Sequence, residues 1–196
     1  MKRRERARPT FEDPDAEFIA RVARGDHDAF ERLVLKYQHS LLNTIYRYVG
    51  NSSEAEDIAQ EVFLRLWRNA KDFEGRSKFA TWFYRIVVNQ CLNHRRKGKG
   101  WLASLHEVMA KGRIPESMKV EIGYERRETA EILRDALNEL PQTQRMALVL
   151  SKYEGRSYRE IAHIMGVSVQ SITSLIFRAK ENLRKKLLPL RVNGDI

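Results

Sequence analysis

The sequence contains a single cysteine, Cys91, among its 196 residues. One thiol can form no internal disulfide and cannot by itself supply a cysteine-based zinc site. Cys91 lies in an apolar stretch, where a buried structural thiol is more common than a reactive one. These features fit a reducing compartment such as the cytoplasm and exclude a disulfide-stapled fold.

Long apolar segments are also missing from the sequence. No run approaches the roughly 20 residues that cross a bilayer as a helix. Residues 1–10 are basic, but no apolar segment follows them, so they lack the pattern of a secretory signal. The sequence therefore predicts a cytoplasmic protein with neither a membrane span nor an export signal.

Motifs for phosphate binding and for metal-dependent catalysis are absent as well. The sequence has no GxxxxGKS, GxxxxGKT or GxGxxG segment. Its histidines are scattered and form no HExxH pattern; they are His27, His39, His94, His106 and His163. We expect no enzyme activity, no catalytic residue, no metal site and no cofactor.

Positive charge is what the sequence has in excess. Lys and Arg number 36 against 26 Asp and Glu, which gives a formal net charge of +10 and a pI of about 9.9. An excess of this size indicates a polyanionic partner, either nucleic acid or an acidic membrane surface. The membrane alternative is disfavoured, because the basic residues crowd polar faces without a broad exposed apolar face beside them.

Apolar residues recur with helical spacing along most of the chain, and no segment alternates convincingly as a strand. We predict an all-α fold of two small helical domains joined by a flexible linker. A disordered basic arm (1–14) would precede the first domain (15–97). The linker (98–123) is rich in glycine, which is typical of a connecting segment, and the second domain would occupy residues 124–190.

Capping residues predict where the helices begin and end. The boundary residues of the first domain are Asp26, Gly50, the capping box of Ser53 with Glu56, and Ser77. Those of the second domain are Pro141, the capping box of Ser157 with Glu160, Gly166, Ser168 and, at the end of the last helix, Pro189.

Residues 157–180 have the spacing of a helix-turn-helix, with two capped helices on either side of a turn at Gly166. Its predicted core is Ile161, Ala162, Met165, Val167, Ile172, Leu175 and Ile176. The side chains expected to face base edges and phosphates are Gln170, Ser171, Thr173, Ser174, Phe177, Arg178 and Lys180. Further phosphate contacts are expected from Arg184, Lys185, Lys186 and Arg191. The alternative is a plain helical hairpin, but turn, caps, core and charge together favour DNA binding.

Two segments of the first domain also carry candidate contacts. Residues 55–69, with the sequence AEDIAQEVFLRLWRN, are predicted to form an amphipathic helix. Its outer face is ionic and is either a solvated surface or a binding surface. The residues of this face are Asp57, Gln60, Glu61, Arg65 and Arg68. FATWFYRIVVNQCLN (79–93) is aromatic and runs into a basic cluster, and rings beside cations can stack bases and hold a nucleic-acid backbone. Some of its rings have core spacing, so the candidates for a DNA face are Tyr84, Arg85, Asn89, Asn93, Arg95 and Arg96.

Together these segments resemble the extracytoplasmic-function (ECF) group of bacterial RNA polymerase sigma factors. The resemblance runs from Asp15 to Leu188 and rests on AEDIAQEVFLRLW, on FATWFYRIVVN and on LNELPQTQRMALVL followed by EGRSYREIAHIMGVSVQSI. Each motif is moderately specific, whereas the three in this order around a linker are very specific. The resemblance implies an alternative sigma factor that binds core RNA polymerase and directs promoter-specific initiation.

The resemblance also implies roles for the candidate residues. The ionic face of 55–69 would bind the clamp helices of the β′ subunit. The loop before the next helix, together with Asn89 on that helix, would recognise the minus-ten element and open it by capturing a flipped base. The residues of this loop are Phe73, Gly75, Arg76, Ser77 and Lys78. The helix-turn-helix would read the minus-thirty-five element. The implied partners are core polymerase (β′ and β), promoter DNA and, for many members, an anti-sigma factor.

Two features depart from the family pattern. Many members carry arginines in the recognition helix where this chain has Thr173 and Leu175, so the sequence of the minus-thirty-five element is not implied. The linker is more basic than acidic, whereas the resemblance implies an acidic one. The remaining alternative function is a helix-turn-helix regulator that acts without replacing the sigma subunit. Such a regulator would bind its operator alone and would not need the helices at 55–69 and 79–93.

Overall fold

The computed structural model describes residues 13–94 and 127–192, with the side chains of all of these except 127–131 and 190–192. Within these ranges the chain forms eight α-helices and one short 3-10 helix, with no strand. The all-α prediction is confirmed for this part of the chain. The linker (98–123), Arg95, Arg96 and nearly all of the predicted arm lie outside the described residues.

Four helices form an N-terminal group: α1 (Pro14–Val22), α2 (His27–Val49), α3 (Ser52–Arg68) and α4 (Phe79–His94), with the 3-10 helix at Ala70–Asp72. The long helix α2 is central and packs against the other three. Its apolar stripe includes Leu33, Leu41, Ile45 and Tyr48, none more than 1% exposed. A helix with apolar residues three and four apart must bury that stripe, and the neighbouring helices cover it.

The ends of α2 are as predicted, but the start of α3 is not. The Asp26 side chain accepts a hydrogen bond from the Ala29 amide at 3.0 Å, and Gly50 ends the helix with a φ of 80°. The capping box predicted at Ser53 is wrong, because Asn51 is the N-cap of α3 and accepts from the Glu54 amide at 3.0 Å. Asparagine caps a helix as well as serine does, and Asn51 comes earlier in the chain.

The start of α4 is fixed by a distant residue. Ser77, the predicted cap, donates its hydroxyl hydrogen bond to the Lys78 carbonyl at 3.3 Å instead. Asp13 caps α1 with one carboxylate oxygen and accepts from the Phe79 amide with the other, at 2.5 Å. One side chain therefore satisfies unpaired amides at the starts of two helices.

Four helices form a C-terminal group: α5 (Arg127–Asn138), α6 (Gln142–Lys152), α7 (Tyr158–Met165) and α8 (Val169–Val192). The capping box of Ser157 and Glu160 is present at the start of α7, and α7 ends at Gly166 with a φ of 69°. The Ser168 hydroxyl accepts from the Ser171 amide at 3.1 Å where α8 begins. These caps confirm the predicted helix-turn-helix geometry.

Two details of the C-terminal group differ from prediction. Helix α8 does not end at Pro189 but continues to Val192, so Pro189 removes one backbone hydrogen bond from the last part of the helix. Val167 is not a core residue, because it lies in the turn and is 42% exposed. Ile161 and Ile172 are completely buried, as predicted.

The N-terminal and C-terminal groups pack on one another. Helix α4 contacts α6 and α7, and α2 contacts α5 and α6. Buried side chains from both groups belong to one apolar cluster. The closed arrangement places the turn between α6 and α7 against α2 and α4.

Candidate nucleic-acid and partner-binding surfaces

The outer face of the first part of α8 presents the seven side chains predicted to face base edges and the nearest phosphates. They are all exposed: Gln170, Ser171, Thr173, Ser174, Phe177, Arg178 and Lys180. The opposite face is held in the core by Ile172, Ile176 and Ala179. The ring of Phe177 is 65% exposed, and an exposed ring on a recognition helix can contact thymine methyl groups.

The hydroxyl groups on this face are oriented by the helix itself. Thr173 donates to the Val169 carbonyl and Ser174 to the Gln170 carbonyl, each at 3.1 Å. Each hydroxyl donates its proton within the helix, so the remaining oxygen lone pairs can accept hydrogen bonds from a partner outside it. Within the described part of the chain the Gln170 amide has no hydrogen-bond partner. It can therefore offer a donor and an acceptor to one base edge.

Positive charge continues along α8 beyond the reading face. Arg178, Lys180 and Lys185 are exposed. Lys186 differs from them, because it pairs with Glu139 and is only 33% exposed. Arg178 and Lys180 can therefore meet phosphates directly, whereas Lys186 must first leave its partner.

The ionic face of α3 combines exposed and engaged side chains. Asp57 and Arg68 are exposed, and Gln60 is half-buried. Glu61 and Arg65 form an ion pair one turn apart at 3.1 Å, in which the Glu61 side chain is 15% exposed. An exposed helical pair one turn apart contributes about 0.3–0.5 kcal/mol; here Glu61 is largely buried, and its Oε2 has no hydrogen-bond partner within the described residues.

The loop before α4 is anchored by its first residue. Phe73 is half-buried, and its ring centroid lies 5.5 Å from that of Trp82 and 6.0 Å from that of Phe79. Gly75 has a φ of 68°, which glycine adopts without strain. The remaining loop residues are Arg76 and Lys78, which are exposed, and Ser77, which is half-buried.

Helix α4 separates the candidates that the sequence placed on one DNA face. Arg85 and Asn89 are exposed. Tyr84 is 1% exposed, so its predicted place on that face is wrong. Its hydroxyl donates to the Glu154 carboxylate, and the Arg156 guanidinium lies 4.6 Å from its ring centroid. Burial, and then the charge of Glu154, raises the pKa of Tyr84 to about 12.

Glu154 is the contact residue that the sequence did not reveal. It lies in the turn between α6 and α7 and accepts hydrogen bonds from Thr44 on α2 and Tyr84 on α4. Both donors belong to the other helical group, so no local pattern around Glu154 indicates them. Thr44 gives no signal either, because its buried hydroxyl has an acceptor within its own helix, the Ser40 carbonyl at 2.7 Å.

Within the described residues, no group of three or more His, Cys, Asp or Glu side chains could hold a metal ion. Cys91 is completely buried, and burial raises the pKa of its thiol, which suppresses the reactive thiolate. Over the same residues no single helix is long and apolar enough to cross a membrane, and the bent pair of α7 and α8 passes this test by length and composition only.

Comparison with known proteins identifies both helical groups. Sigma-70 region 2 matches residues 33–101, and Sigma-70, region 4 matches residues 130–183. The RNA polymerase sigma-H factor of Pseudomonas aeruginosa is 36% identical over 91% of this chain and 96% of its own length. The ECF RNA polymerase sigma-E factor of Escherichia coli K12 is 35% identical over 90% and 95%.

A solved structure agrees with these relatives. The sigma factor RpoE from Bartonella quintana, crystallised with the anti-sigma factor NepR, is similar with a TM-score of 0.61 and 26% identity over 81% of this chain and 96% of that chain. The match therefore extends across both helical groups and nearly the full length of each relative. The chain belongs to the ECF group of RNA polymerase sigma factors.

Proposed function

We propose that this chain is an alternative sigma subunit that binds core RNA polymerase and directs initiation through a minus-ten and a minus-thirty-five element. The proposal rests on one observation: a region 2 group and a region 4 helix-turn-helix with a fully exposed polar face occur in the same chain. An ordinary helix-turn-helix regulator needs only the second. The proposed division is a polymerase-binding domain (15–97), a linker (98–123) and a minus-thirty-five domain (124–190), after a short arm (1–14).

Polymerase binding is assigned to the outer face of α3, which would dock on the clamp helices of β′. Charges of both signs along that face suit a polar, charge-complementary interface. Glu61 and Arg65 are already paired with each other. A partner therefore meets them in a fixed geometry, which lowers the entropy cost of ordering two long side chains on binding.

Promoter opening is assigned to the loop 73–78 and to the exposed side of α4. Arg76 and Lys78 offer donors to the separated strand, and Asn89 can pair with a base edge. Unstacking a base costs a few kcal/mol, so opening must be driven by the energy of binding the separated strand. On this proposal the chain performs no covalent chemistry and acts in the cytoplasm, where promoter DNA and polymerase are found.

Reading of the minus-thirty-five element is assigned to the first half of α8. In a helix-turn-helix the N-terminal residues of the second helix face base edges in the major groove. Gln170, Thr173 and Ser174 occupy that part of α8, and Arg178 follows one turn later at the position of a phosphate contact. Leu175 packs against the core, so it is not a base contact even though many members carry an arginine there.

An anti-sigma factor is a further partner that we propose by analogy. The structurally similar RpoE of Bartonella quintana was crystallised in complex with one. A protein of this kind would keep the chain from binding polymerase. Affinity purification of the tagged chain from cells, in the fractions that contain no polymerase, is the direct way to find it.

Run-off transcription with purified core polymerase tests the proposal. Core polymerase with the chain should give discrete start sites on genomic fragments, and core polymerase alone should give none. The test variant for α3 is the double substitution Glu61→Lys, Arg65→Glu, which exchanges the two charges but keeps an ion pair one turn apart. It should retain the wild-type circular dichroism spectrum and melting temperature.

The double variant should lose co-elution with core polymerase and the ability to support transcription, because each exchanged charge meets the wrong partner across the interface. A folded double variant that transcribes like the wild type would refute the assignment of α3. Absence of any start site with the wild-type chain would refute the proposed function itself.

A further inference from the structure

The two residues before α4 supply no side-chain acceptor to its first amides. Lys78 directly precedes the helix, and its ammonium group donates hydrogen bonds but accepts none. Its backbone carbonyl accepts from the Thr81 amide at 3.0 Å and the Trp82 amide at 3.2 Å. The hydroxyl of Ser77 donates to that same carbonyl at 3.3 Å. The first amides of α4 therefore need an acceptor from another part of the chain.

Asp13 supplies that acceptor from 66 residues away in the sequence. Its Oδ2 atom accepts from the Phe79 amide at 2.5 Å, while its Oδ1 atom accepts from the Asp15 amide at 3.2 Å and caps α1. The side chain is half-buried between the two helix starts. A helix start carries partial positive charge, so two of them favour a carboxylate at this position.

The helix that follows Asp13 is anchored by a buried carboxylate. Asp15 is 4% exposed and accepts from Lys36 Nζ at 2.6 and 2.7 Å and from the Tyr37 hydroxyl at 2.7 Å. Both donors lie on α2. The Tyr37 ring also packs on Phe79, with ring centroids 5.5 Å apart. Charge-assisted hydrogen bonds to a buried group fix its position, so α1 holds Asp13 beside the start of α4.

The bond from Asp13 lies at one end of the loop 73–78, and an aromatic contact lies at the other. Phe79 is 0% exposed, and its ring centroid lies 6.0 Å from that of Phe73. Arg76 and Lys78 lie between these two anchors and are exposed. A loop that is held at both ends loses less conformational entropy when it binds a partner. The candidate strand contacts are therefore presented on a preorganised loop.

We propose that Asp13 is a positioning residue for promoter opening: by capping α4 it holds the loop 73–78 in the geometry that receives the separated strand. The inference rests on the proposed function, which assigns that strand to this loop. Asp13 contacts no DNA and acts through the Phe79 amide. Loss of this one bond should leave the fold and the polymerase-binding face of α3 in place. It should lower the fraction of chains whose loop is ready to bind.

A serine at residue 13 separates the two bonds of Asp13. Serine caps a helix as well as aspartate does, but it has a single side-chain oxygen, one bond closer to the backbone. Asp13→Ser should therefore keep the cap of α1 and lose the bond to the Phe79 amide.

Asp26→Ser is the matched control, because Asp26 has the same kind of double role. It caps its own helix through the Ala29 amide at 3.0 Å, and its second oxygen accepts from Arg21 Nε at 2.7 Å. The control makes the same substitution and the same charge change in the same helical group. It removes a second contact without touching the start of α4.

Both variants are assembled with core polymerase on one promoter. Asp13→Ser should lower the permanganate reactivity of the minus-ten thymines about fivefold, the equivalent of about 1 kcal/mol. Asp26→Ser should react like the wild type. Co-elution with core polymerase and closed-complex formation should be unchanged in both variants. A promoter with a pre-opened mismatch bubble should restore transcription by Asp13→Ser, because the step that needs the positioned loop is then complete.

Four results would overturn the proposal. Wild-type reactivity of Asp13→Ser would show that opening does not need the bond to Phe79. An equal loss of reactivity or of polymerase binding in both variants would point to a general loss of stability. Lack of rescue by the bubble, or loss of polymerase binding by Asp13→Ser alone, would make Asp13 a structural residue of the N-terminal group.

Hydrogen exchange of the free chain, followed by NMR, tests the bond without polymerase or DNA. The Phe79 amide should exchange about fivefold faster in Asp13→Ser than in the wild type. The Asp15 amide should stay equally protected, and Asp26→Ser should match the wild type at Phe79. Equal exchange at Phe79 in all three chains contradicts the positioning role.

The two measurements separate failure of this role from failure of the proposed function. If the wild-type chain forms no open complex with core polymerase, the sigma-factor function fails, and with it the role of Asp13 in opening. Hydrogen exchange then still decides whether Asp13 holds the start of α4. If the wild type opens the promoter and Asp13→Ser opens it equally well, only the positioning role is refuted.

Discussion

Helices α8 and α4 carry the two candidate DNA faces, and they differ in how far the sequence reveals them. On α8 all seven residues predicted for the reading face, from Gln170 to Lys180, are exposed, whereas on α4 Arg85 and Asn89 are exposed and Tyr84 is buried. Helix α8 is polar outside and apolar inside, so helical periodicity alone separates its faces. Helix α4 is aromatic on more than one side, and a tyrosine with its apolar ring and polar tip suits either environment. An aromatic helix therefore needs its tertiary contacts before its faces can be assigned.

The largest difference between the two helices is expected in promoter opening. Asn89→Ala on α4 removes a side chain proposed to hold an unpaired base, so it should leave folding, polymerase binding and closed-complex formation intact. Permanganate reactivity of the minus-ten thymines should fall by about tenfold or more, since capture of a flipped base must offset a few kcal/mol of unstacking. Replacement of 73–78 by a Gly-Ser segment should act in the same direction, with added loss of the Phe73 packing.

A promoter with a pre-opened mismatch bubble distinguishes the helices further. It should restore transcription by Asn89→Ala, because the opening step is then already complete. It should not restore transcription by variants of the α8 face, whose defect lies in promoter binding. Lack of rescue for Asn89→Ala, or loss of polymerase binding by that variant, would mean that this side of α4 is structural or belongs to the subunit interface.

A smaller effect, on sequence preference, is expected on α8. Gln170→Ala or Thr173→Ala should change the preference of the holoenzyme among minus-thirty-five variants by about 1–3 kcal/mol at a contacted base pair. Asn182→Ala is the control, because Asn182 is exposed on the same helix but bonds to Gln144 at 3.0 Å. Competition binding over a set of single-base variants measures the preference. Unchanged preference at every position for both variants would mean that the reading face is wrongly assigned.

Sequence-independent binding to promoter DNA should depend on the cation Arg178 of α8 more than on Lys186, which is paired with Glu139. Arg178→Ala should weaken promoter binding about equally across sequences and reduce the slope of log K against log salt by roughly one. Lys186→Ala should change that slope less, because Lys186 is engaged by Glu139. Salt titrations of promoter binding test both. Equal slope changes for the two variants would show that the ion pair does not persist on DNA.

The smallest effects are expected at the starts of the two helices. Ser168→Ala removes the local cap of α8 and should cost about 1 kcal/mol of the free energy of unfolding. Asp13→Ala should cost at least as much, because its carboxylate accepts from the amides of both Asp15 and Phe79. Urea unfolding followed by circular dichroism measures both. If Asp13→Ala unfolds like the wild type, the distant cap of α4 is not formed in solution.

The caps show how much of the fold the sequence predicts and where it stops. Asp26, Gly50, Ser157 and Gly166 act as predicted, because each interacts with amides or carbonyls a few residues away. The cap of α4 could not be predicted, because its acceptor is 66 residues distant and competes with a nearby serine. Local chemistry fixes a boundary only when no distant group satisfies the same amide better.

The contacts between the helical groups are less predictable still. Glu154 and Arg145 are charged residues in a turn and near a helix start, where the ordinary expectation is a solvated side chain. Arg145 is nevertheless 1% exposed, since the end of α2 supplies a carbonyl acceptor for it. The packing of one group on the other creates these environments. Periodicity within either group carries no information about them.

The most direct test of the central claim is a nuclease footprint of one mapped promoter with the chain alone, with core polymerase alone and with both. A sigma subunit should protect the minus-ten and minus-thirty-five elements together only when core polymerase is present. Protection of a single operator by the chain alone, unchanged when core polymerase is added, would contradict the account and indicate an ordinary helix-turn-helix regulator.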